Sequence, residues 1–251
     1  MAKKESFFIK ENEVGFVPDE EYTYVEPYVQ LLDAFARTTY KSIYVIDYFR
    51  KDFFYVSDNP LFLCGLSPEE VRRMGYDFYL RFVPEPEIPL LLEINRAGFT
   101  FTESVPPANR LEYTLSYDFH IKPSPGKPLL INHKITPLRL NGNKVWLSLC
   151  TVSFSSKTKP GNMEIARRGY TGHWKYSPVD RKWHECARII LKEEEKEVLR
   201  LSMQGYTMKD ISEHVSKSLD TVKTYKRRIF EKLEVENITE AISYAINNNL
   251  L

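Results

Sequence analysis

Apolar and polar positions follow two rhythms along the chain. Between residues 22 and 40, Val25, Tyr28, Val29, Leu32, Phe35 and Ala36 recur at three- and four-residue steps, which predicts an amphipathic helix. Two short β-rich runs follow, at residues 43–46 and 53–56. Residues 59–92 are again helical in pattern, but Pro68, Gly75, Pro84, Pro86 and Pro89 interrupt them, so several short helices are expected. Period two then takes over. Leu111, Tyr113, Leu115, Tyr117, Phe119 and Ile121 alternate with polar residues as far as Lys122, predicting a strand with one buried and one wet face. A Pro-Ser-Pro-Gly turn at residues 123–126 ends it. Residues 129–140 and 145–154 predict two further strands. Asn141-Gly142 between them is a strong hairpin signal, so the three strands read as an antiparallel meander.

Two strands, several short helices and then three strands describe an α+β domain with its helices segregated to one side of an antiparallel sheet. After the second strand come Ser57-Asp58-Asn59 and then Cys64-Gly65-Leu66-Ser67-Pro68-Glu69-Glu70-Val71. This join resembles the asparagine and the Gly-Tyr-Ser-Pro-Glu-Glu signature of the PAS fold, with Leu66 in the aromatic's place. The resemblance spans residues 42–155 and implies a domain that senses a signal or pairs subunits. Residues 155–162 are polar and turn-rich, as a linker would be. Trp174 and Trp183 flank Ser177-Pro178-Val179-Asp180 in a segment that reads as an extra hairpin, with the tryptophans anchoring it to the sheet or to a partner subunit. The expected division is residues 1–156, a connecting stretch 157–190, and an all-helical domain 191–251.

That last stretch is the most informative. Residues 193–203 are helical in pattern, with Gly205 as a C-terminal stop. Thr207 and Asp210 form a capping box that opens a short second helix. Lys217-Ser218 makes a turn, Ser218 caps a third helix running to Leu233, and Asn237 caps a fourth. On the third helix Val222, Ile229 and Leu233 fall on one side with Tyr225 beside them, and Asp220, Lys223, Thr224, Arg227, Arg228 and Glu231 fall opposite. A helix docked by such an apolar stripe turns its Lys and Arg outward, one turn apart. The major groove of B-DNA admits a helix of this diameter, and Arg and Lys bond guanine acceptors or neutralise phosphates there. By charge alone, an ordinary solvated face is the simpler reading.

The motifs change that balance. Residues 191–199 (Leu-Lys-Glu-Glu-Glu-Lys-Glu-Val-Leu), Gly205, Lys209-Asp210-Ile211, Ser218, Thr221-Val222-Lys223 and Ile229-Phe230-Glu231-Lys232-Leu233 follow one another without a gap, and Ala241 and Ala245 close the series. This resembles the LuxR-type helix-turn-helix family. The resemblance implies a four-helix module whose third helix enters the major groove. Lys223, Thr224 and Arg227 fall at base- or phosphate-contacting positions, with Arg228, Thr221 and Ser218 beside them, and Thr207 and Lys209 fall where the second helix approaches the DNA backbone. The fourth helix, carrying Ile238, Ala241, Ile242 and Ala245, is the family's dimer contact; a purely internal role for these four is the alternative. Lys192 departs from the family's usual Thr cap, Tyr225 from a frequent His, Arg228 from a frequent Asn, and Ile238 from a common Arg. Tyr225 and Arg228 can alter which base pairs are read, so no target sequence carries over. The partners implied are double-stranded DNA, a second copy of the chain and, in transcription, RNA polymerase.

Charge agrees in its distribution more than in its total. The 251 residues carry 35 basic and 34 acidic groups, yet six basic residues lie between Lys217 and Lys232 against only Asp220 and Glu231. The 16 tyrosines and 15 phenylalanines suit a sheet-containing core. Cys64, Cys150 and Cys186 are few, odd in number and far apart, which argues against a disulfide framework or zinc site and suits a reducing compartment. No secretory leader or bilayer-length apolar run is legible, so a cytoplasmic protein without membrane contact is expected. The five histidines show no metal spacing, and no phosphate-binding loop or catalytic motif is present, so neither an enzyme nor an identifiable cofactor is expected; a small-molecule ligand is left open. Cys64 reads as a buried thiol, His133 as structural and His120 as solvent-facing.

Overall fold

The computed structural model describes residues 3–123, 125–170, 172–187, 189–248, 250 and 251. The chain forms two compact units, the first of residues up to 154 together with 159–186, the second of 155–158 and 187–251.

In the first unit, helix α1 (Asp19–Ala36) precedes strands β1 (Ser42–Asp47) and β2 (Asp52–Val56). Helices α2 (Pro60–Leu63), α3 (Pro68–Met74), α4 (Asp77–Phe82) and α5 (Ile88–Ser104) follow. Strands β3 (Tyr113–Ile121), β4 (Leu129–Asn141) and β5 (Lys144–Phe154) form the expected meander. The α+β, PAS-like arrangement is therefore present. Its signature residues act as the local chemistry requires. Asn59 Oδ1 accepts from Leu61 N at 3.1 Å and from Ser42 Oγ at 2.8 Å, tying the start of α2 to β1. Ser67 and Glu70 close a reciprocal capping box at the start of α3.

Three features differ from the sequence reading. Helix α5 runs on to Ser104, because no proline follows Pro89 until Pro106. The polar face of β3 is not wet throughout: Asp118 is buried and accepts from Asn132 and Asn162, and His120 Nδ1 meets Glu87 Oε1 at 2.6 Å. Residues 157–190 are more than a connector with one hairpin. Strand β6 (Gly161–Arg167) pairs with β3, and β7 (Gly172–Ser177) and β8 (Lys182–Ala187) extend one eight-stranded sheet in the order β2-β1-β5-β4-β3-β6-β7-β8. The reason is visible in β6, where Met163 and Ile165 alternate inward between polar neighbours, a period-two signal too short to stand out beside the polar 155–162 run. The tryptophans of the hairpin do anchor it: Trp174 and Trp183 both pack on Phe101 of α5, and Trp183 Nε1 donates to Ala97 O at 3.2 Å.

Both faces of the sheet are covered. On one, α1 places Tyr22 and Val25 with Val17 over Ile43, Val45, Tyr55 and Trp146. The Tyr22 hydroxyl donates to Asp47 Oδ2 at 2.6 Å, while Asp47 Oδ1 accepts from the N–H groups of Phe49 and Arg50 in the β1–β2 turn. The buried Asp47 thus fixes the turn and the helix together. On the other face, α2–α5 enclose an aromatic core in which Tyr44 stacks on Phe62 at 4.3 Å and its hydroxyl meets those of Tyr79 and the Nε2 of His133. Burial holds Tyr44, Tyr76, Tyr79 and Tyr117 far above the ordinary phenol range, so this interior is uncharged.

His133 is fully buried, as expected of a structural histidine, and burial pushes its pKa down from 6.5 to about 3. The folded ring therefore stays neutral where the unfolded ring takes up a proton. Its stabilising contribution is intact above about pH 6.5 and is lost progressively as pH falls toward 3, at up to about 1.4 kcal/mol per pH unit. Denaturation of the first unit at pH 6.5 and pH 5 is expected to show this loss in the wild type and to lose about 2 kcal/mol less in His133→Gln, which keeps a partner for Tyr44 but does not titrate.

Candidate nucleic-acid interface

The second unit contains α6 (Glu193–Met203), α7 (Met208–His214), α8 (Leu219–Leu233) and α9 (Ile238–Asn247). The boundaries follow from the caps. Gly205, at φ +86°, ends α6 in the left-handed conformation that glycine adopts without steric cost, and Tyr206 N bonds back to Leu201 O. Thr207 and Asp210 cap α7, Ser218 Oγ accepts from Thr221 N at 3.2 Å to open α8, and Asn237 Oδ1 accepts from Glu240 N at 2.9 Å to open α9. The side chain of Lys192 does not cap α6; the Glu195 carboxylate takes the Lys192 N–H instead.

Packing orients α8. Val222, Ile229 and Leu233 are at most 1% exposed and join Leu199, Ile211, Ala241 and Ala245 in one core, with Tyr225 half-buried at its margin. Lys223 and Arg227 lie on the opposite side, with side chains 58% and 73% exposed. Lys223 Nζ meets Asp220 at 3.1 Å, and Arg227 Nε lies 3.8 Å from Glu231. Such exposed pairs contribute about 0–1 kcal/mol, so a phosphate can replace either acid at little cost. Arg228, Lys217 and Lys209 are also exposed. Thr224, half-buried, donates its hydroxyl to Asp220 O, and Thr221 shares a hydroxyl contact with Ser218. Thr207 is likewise engaged, donating to Asp210 Oδ2 at 2.6 Å, which holds that carboxyl below its usual range. The cations on this face are thus exposed and only loosely paired, and the hydroxyls shape the helix ends.

Three residues sort differently from their appearance in the sequence. Lys232, counted among the six clustered cations, turns inward: its Nζ donates to Glu195 Oε2 at 2.6 Å and to Ile190 O at 3.0 Å, while Glu195 is 1% exposed. Spacing alone could not reveal that partner, which lies 37 residues away. On α9, Ala241 and Ala245 are fully buried in the unit's own core, whereas Ile238 and Ile242 are half-buried and Ile246 is exposed. Any seam on that helix consists of the isoleucines.

Removing Lys232 strands a buried carboxylate. Lys232→Met is expected to destabilise α6–α9 by about 3–5 kcal/mol, and Lys223→Ala by less than about 0.5 kcal/mol. Amide hydrogen exchange of these helices in the full chain would measure both.

Comparison with known proteins locates the same segment. Residues 190–245 match the model of GerE, the bacterial regulatory proteins of the luxR family. Over 62 residues the chain is 39% identical to the response regulator protein VraR of Staphylococcus aureus, a stretch that is 25% of this chain and 30% of VraR. The chain thus matches less than a third of that curated relative's length. Among solved structures, the response regulator ChrA of a heme-sensing two-component system is 33% identical over 26% of this chain and 33% of its own, with a TM-score of 0.25. The VqmA dimer of Vibrio cholerae, described as a LuxR-type receptor, is 16% identical and covers 88% of each chain at a TM-score of 0.34. With its four helices, its buried stripe on α8 and this family match, the segment 190–245 is a LuxR-type helix-turn-helix domain.

Proposed function

We propose that the chain is a transcription regulator that binds double-stranded DNA as a homodimer, with α8 in the major groove and the first unit responding to a small molecule. The observation that carries the reading is the outward cationic edge of α8. Lys223, Arg227 and Arg228 project from a helix held by its opposite edge, with Lys217 and Lys209 as flanking phosphate contacts. Two such helices related by a two-fold axis suit a pseudo-palindromic site with half-sites about one helical turn apart. Binding in the cytoplasm, beside RNA polymerase, fits this role. Among the described residues, no helix is long and apolar enough to cross a membrane.

A response to a small molecule, over a role in protein interaction alone, is favoured by a cavity of about 70 Å³ between α5 and the inner face of the sheet. Phe99, Phe101, Tyr113 and Tyr117 are among its walls, and Asn95, Thr102 and Ser148 are its polar groups. No charged side chain lines it, so its ligand is uncharged and largely apolar. At Gly98 a Cβ would come within 2.8 Å of Leu115 Cδ2, so α5 lies as close to β3 as the fold permits at that point.

A duplex selected from a random pool by the purified full chain supplies the test. Lys223→Ala and Arg227→Ala are each expected to weaken binding by about 1–3 kcal/mol where they touch a base, or to lower the salt slope by about one where they touch a phosphate. Affinity and slope both unchanged in the double variant would discard the assignment of α8.

A further inference from the structure

The chain enters the second unit twice. Residues 187–251 bring its four helices, and residues 155–158 join them from the connection between β5 and β6, two strands of the first unit. Ser155 Oγ accepts from Lys157 N at 2.9 Å, which turns the connection back on itself. Ser156 is buried and Lys157 half-buried. The Lys157 ammonium donates to Leu233 O and Glu234 O, both at 3.1 Å, and stands 4.8 Å from the centre of the Tyr244 ring. Leu233 and Glu234 end α8, and Tyr244 lies on α9, 6% exposed. A side chain 76 residues upstream of Leu233 therefore bridges the end of one helix and a ring on the next.

The end of α8 needs such a partner. The last carbonyls of a helix have no amide ahead of them to accept from, and they carry the negative end of its dipole. Lys232 is the basic residue of the last turn of α8, and it is committed to Glu195 and Ile190 O. The chain leaves α8 through Glu234 at φ +52°, where glycine is the usual residue and where a side chain with a Cβ is held at a steric cost. A corner of that kind depends on whatever bonds its carbonyls, and here the cation that does so comes from outside the four helices.

We propose that Lys157 is a positioning residue for DNA binding: by clamping the corner between α8 and α9 it fixes the direction in which α8 presents Lys223, Arg227 and Arg228. The inference rests on the reading of α8 as the helix that meets DNA. It makes the DNA-binding unit a discontinuous one, incomplete without a loop that lies between two strands of the sheet. Ser218 caps one end of α8, and Lys157 holds the other. Arg228 lies about one and a half turns before Leu233, so a corner that loosens lets the reading residues swing with it. The connection from Phe154 to Gly161 has few residues to absorb a shift of either strand end, so the lysine that sets α8 is also the one that feels such a shift.

Two measurements on the full chain test this. Lys157→Met is the main variant, Lys157→Arg the rescue, and Lys159→Met, at an exposed lysine of the same connection, the control. The first measurement is amide hydrogen exchange, read residue by residue by NMR. Lys157→Met is expected to speed exchange at residues 230–235 by about tenfold while α6 and α7 keep their protection. The second is affinity for the duplex that the wild type selects. With the corner locked in about a tenth of the variant molecules, the dissociation constant rises about tenfold. The salt slope stays that of the wild type, because Lys157 holds the helix and not a phosphate. Lys157→Arg recovers most of both losses, and Lys159→Met shows neither. Exchange and affinity both unchanged in Lys157→Met overturn the proposal. Weaker binding with a salt slope lower by about one overturns it too, since that is a phosphate contact. So does exchange that rises equally in all four helices, which is a general stability role, or faster exchange at the corner with affinity intact. A wild type that selects no duplex overturns the reading of α8 on which the inference rests, and is told apart from a failure of the clamp, which exchange alone decides.

Discussion

What a duplex could meet on this protein depends on which edge of α8 the rest of its unit holds. Val222, Ile229 and Leu233 are at most 1% exposed, and the removal of three such side chains from water contributes several kcal/mol, at about 1.5–3 kcal/mol each. A rotation of the helix would forfeit that burial and bury ammonium and guanidinium groups without partners, a far larger cost. The one cation that does point inward, Lys232, is matched to the buried Glu195, whose other contact caps α6 through the Lys192 N–H. One ion pair therefore joins the start of the first helix to the end of the third. The outward residues contribute almost nothing to the fold, which is why Arg228 departs from the family without disturbing the core, whereas Tyr225 packs at the core's margin.

The first unit solves a different problem. Over β1, β2 and β5 its sheet is apolar on both faces, with α1 on one side and α2–α5 on the other, while β3, β4 and β6 turn polar residues to the α1 side. Within the larger core, the titratable groups are phenols, thiols and one imidazole, all held neutral by burial. An interior of that kind accepts uncharged molecules and excludes ions, since a charge moved there would lose its hydration without gaining a counter-charge. His133 Nδ1 is a buried atom with no partner, a local cost that the Tyr44 contact at Nε2 only partly offsets.

Much of this was legible in the chain because local and global signals agree. Three of the four helices of the second unit begin where their caps predict, since Thr207, Ser218 and Asn237 are short polar side chains at positions with orphan N–H groups, and Gly205 supplies the left-handed stop after α6. The meander and its Asn141-Gly142 turn were equally plain. What was hidden depends on long-range partners. Lys232 looks like its neighbours on the helix until Glu195 is brought to it. Met163 and Ile165 look like part of a linker until β3 offers an edge to pair with. Asp118 looks wet until Asn132 and Asn162 close over it. Periodicity reports one face at a time, so the exposed Phe35 of α1 read as part of the same amphipathic pattern as the buried Val25.

These features meet in the thermodynamics of reading DNA by pairs. A single α8 offers few base contacts and a phosphate attraction that any sequence can satisfy, so by itself it discriminates poorly. Joining two copies converts the second contact into an intramolecular step at an effective concentration set by the connection, and the gain is lost if the geometry forbids both halves from engaging. A contact between two copies far from the duplex would therefore govern affinity without touching DNA. The cavity wall and the bed of α1 share one strand: Val145 of β5 lines the cavity, and its neighbours Trp146 and Leu147 pack under α1. A ligand that shifts β5 by a fraction of an ångström acts on a close-packed layer that α1 must follow, because packed interiors transmit displacement instead of absorbing it. Its effect on DNA binding is then the difference between its affinities for the paired and unpaired states, and equal affinities would make even a tightly held ligand silent.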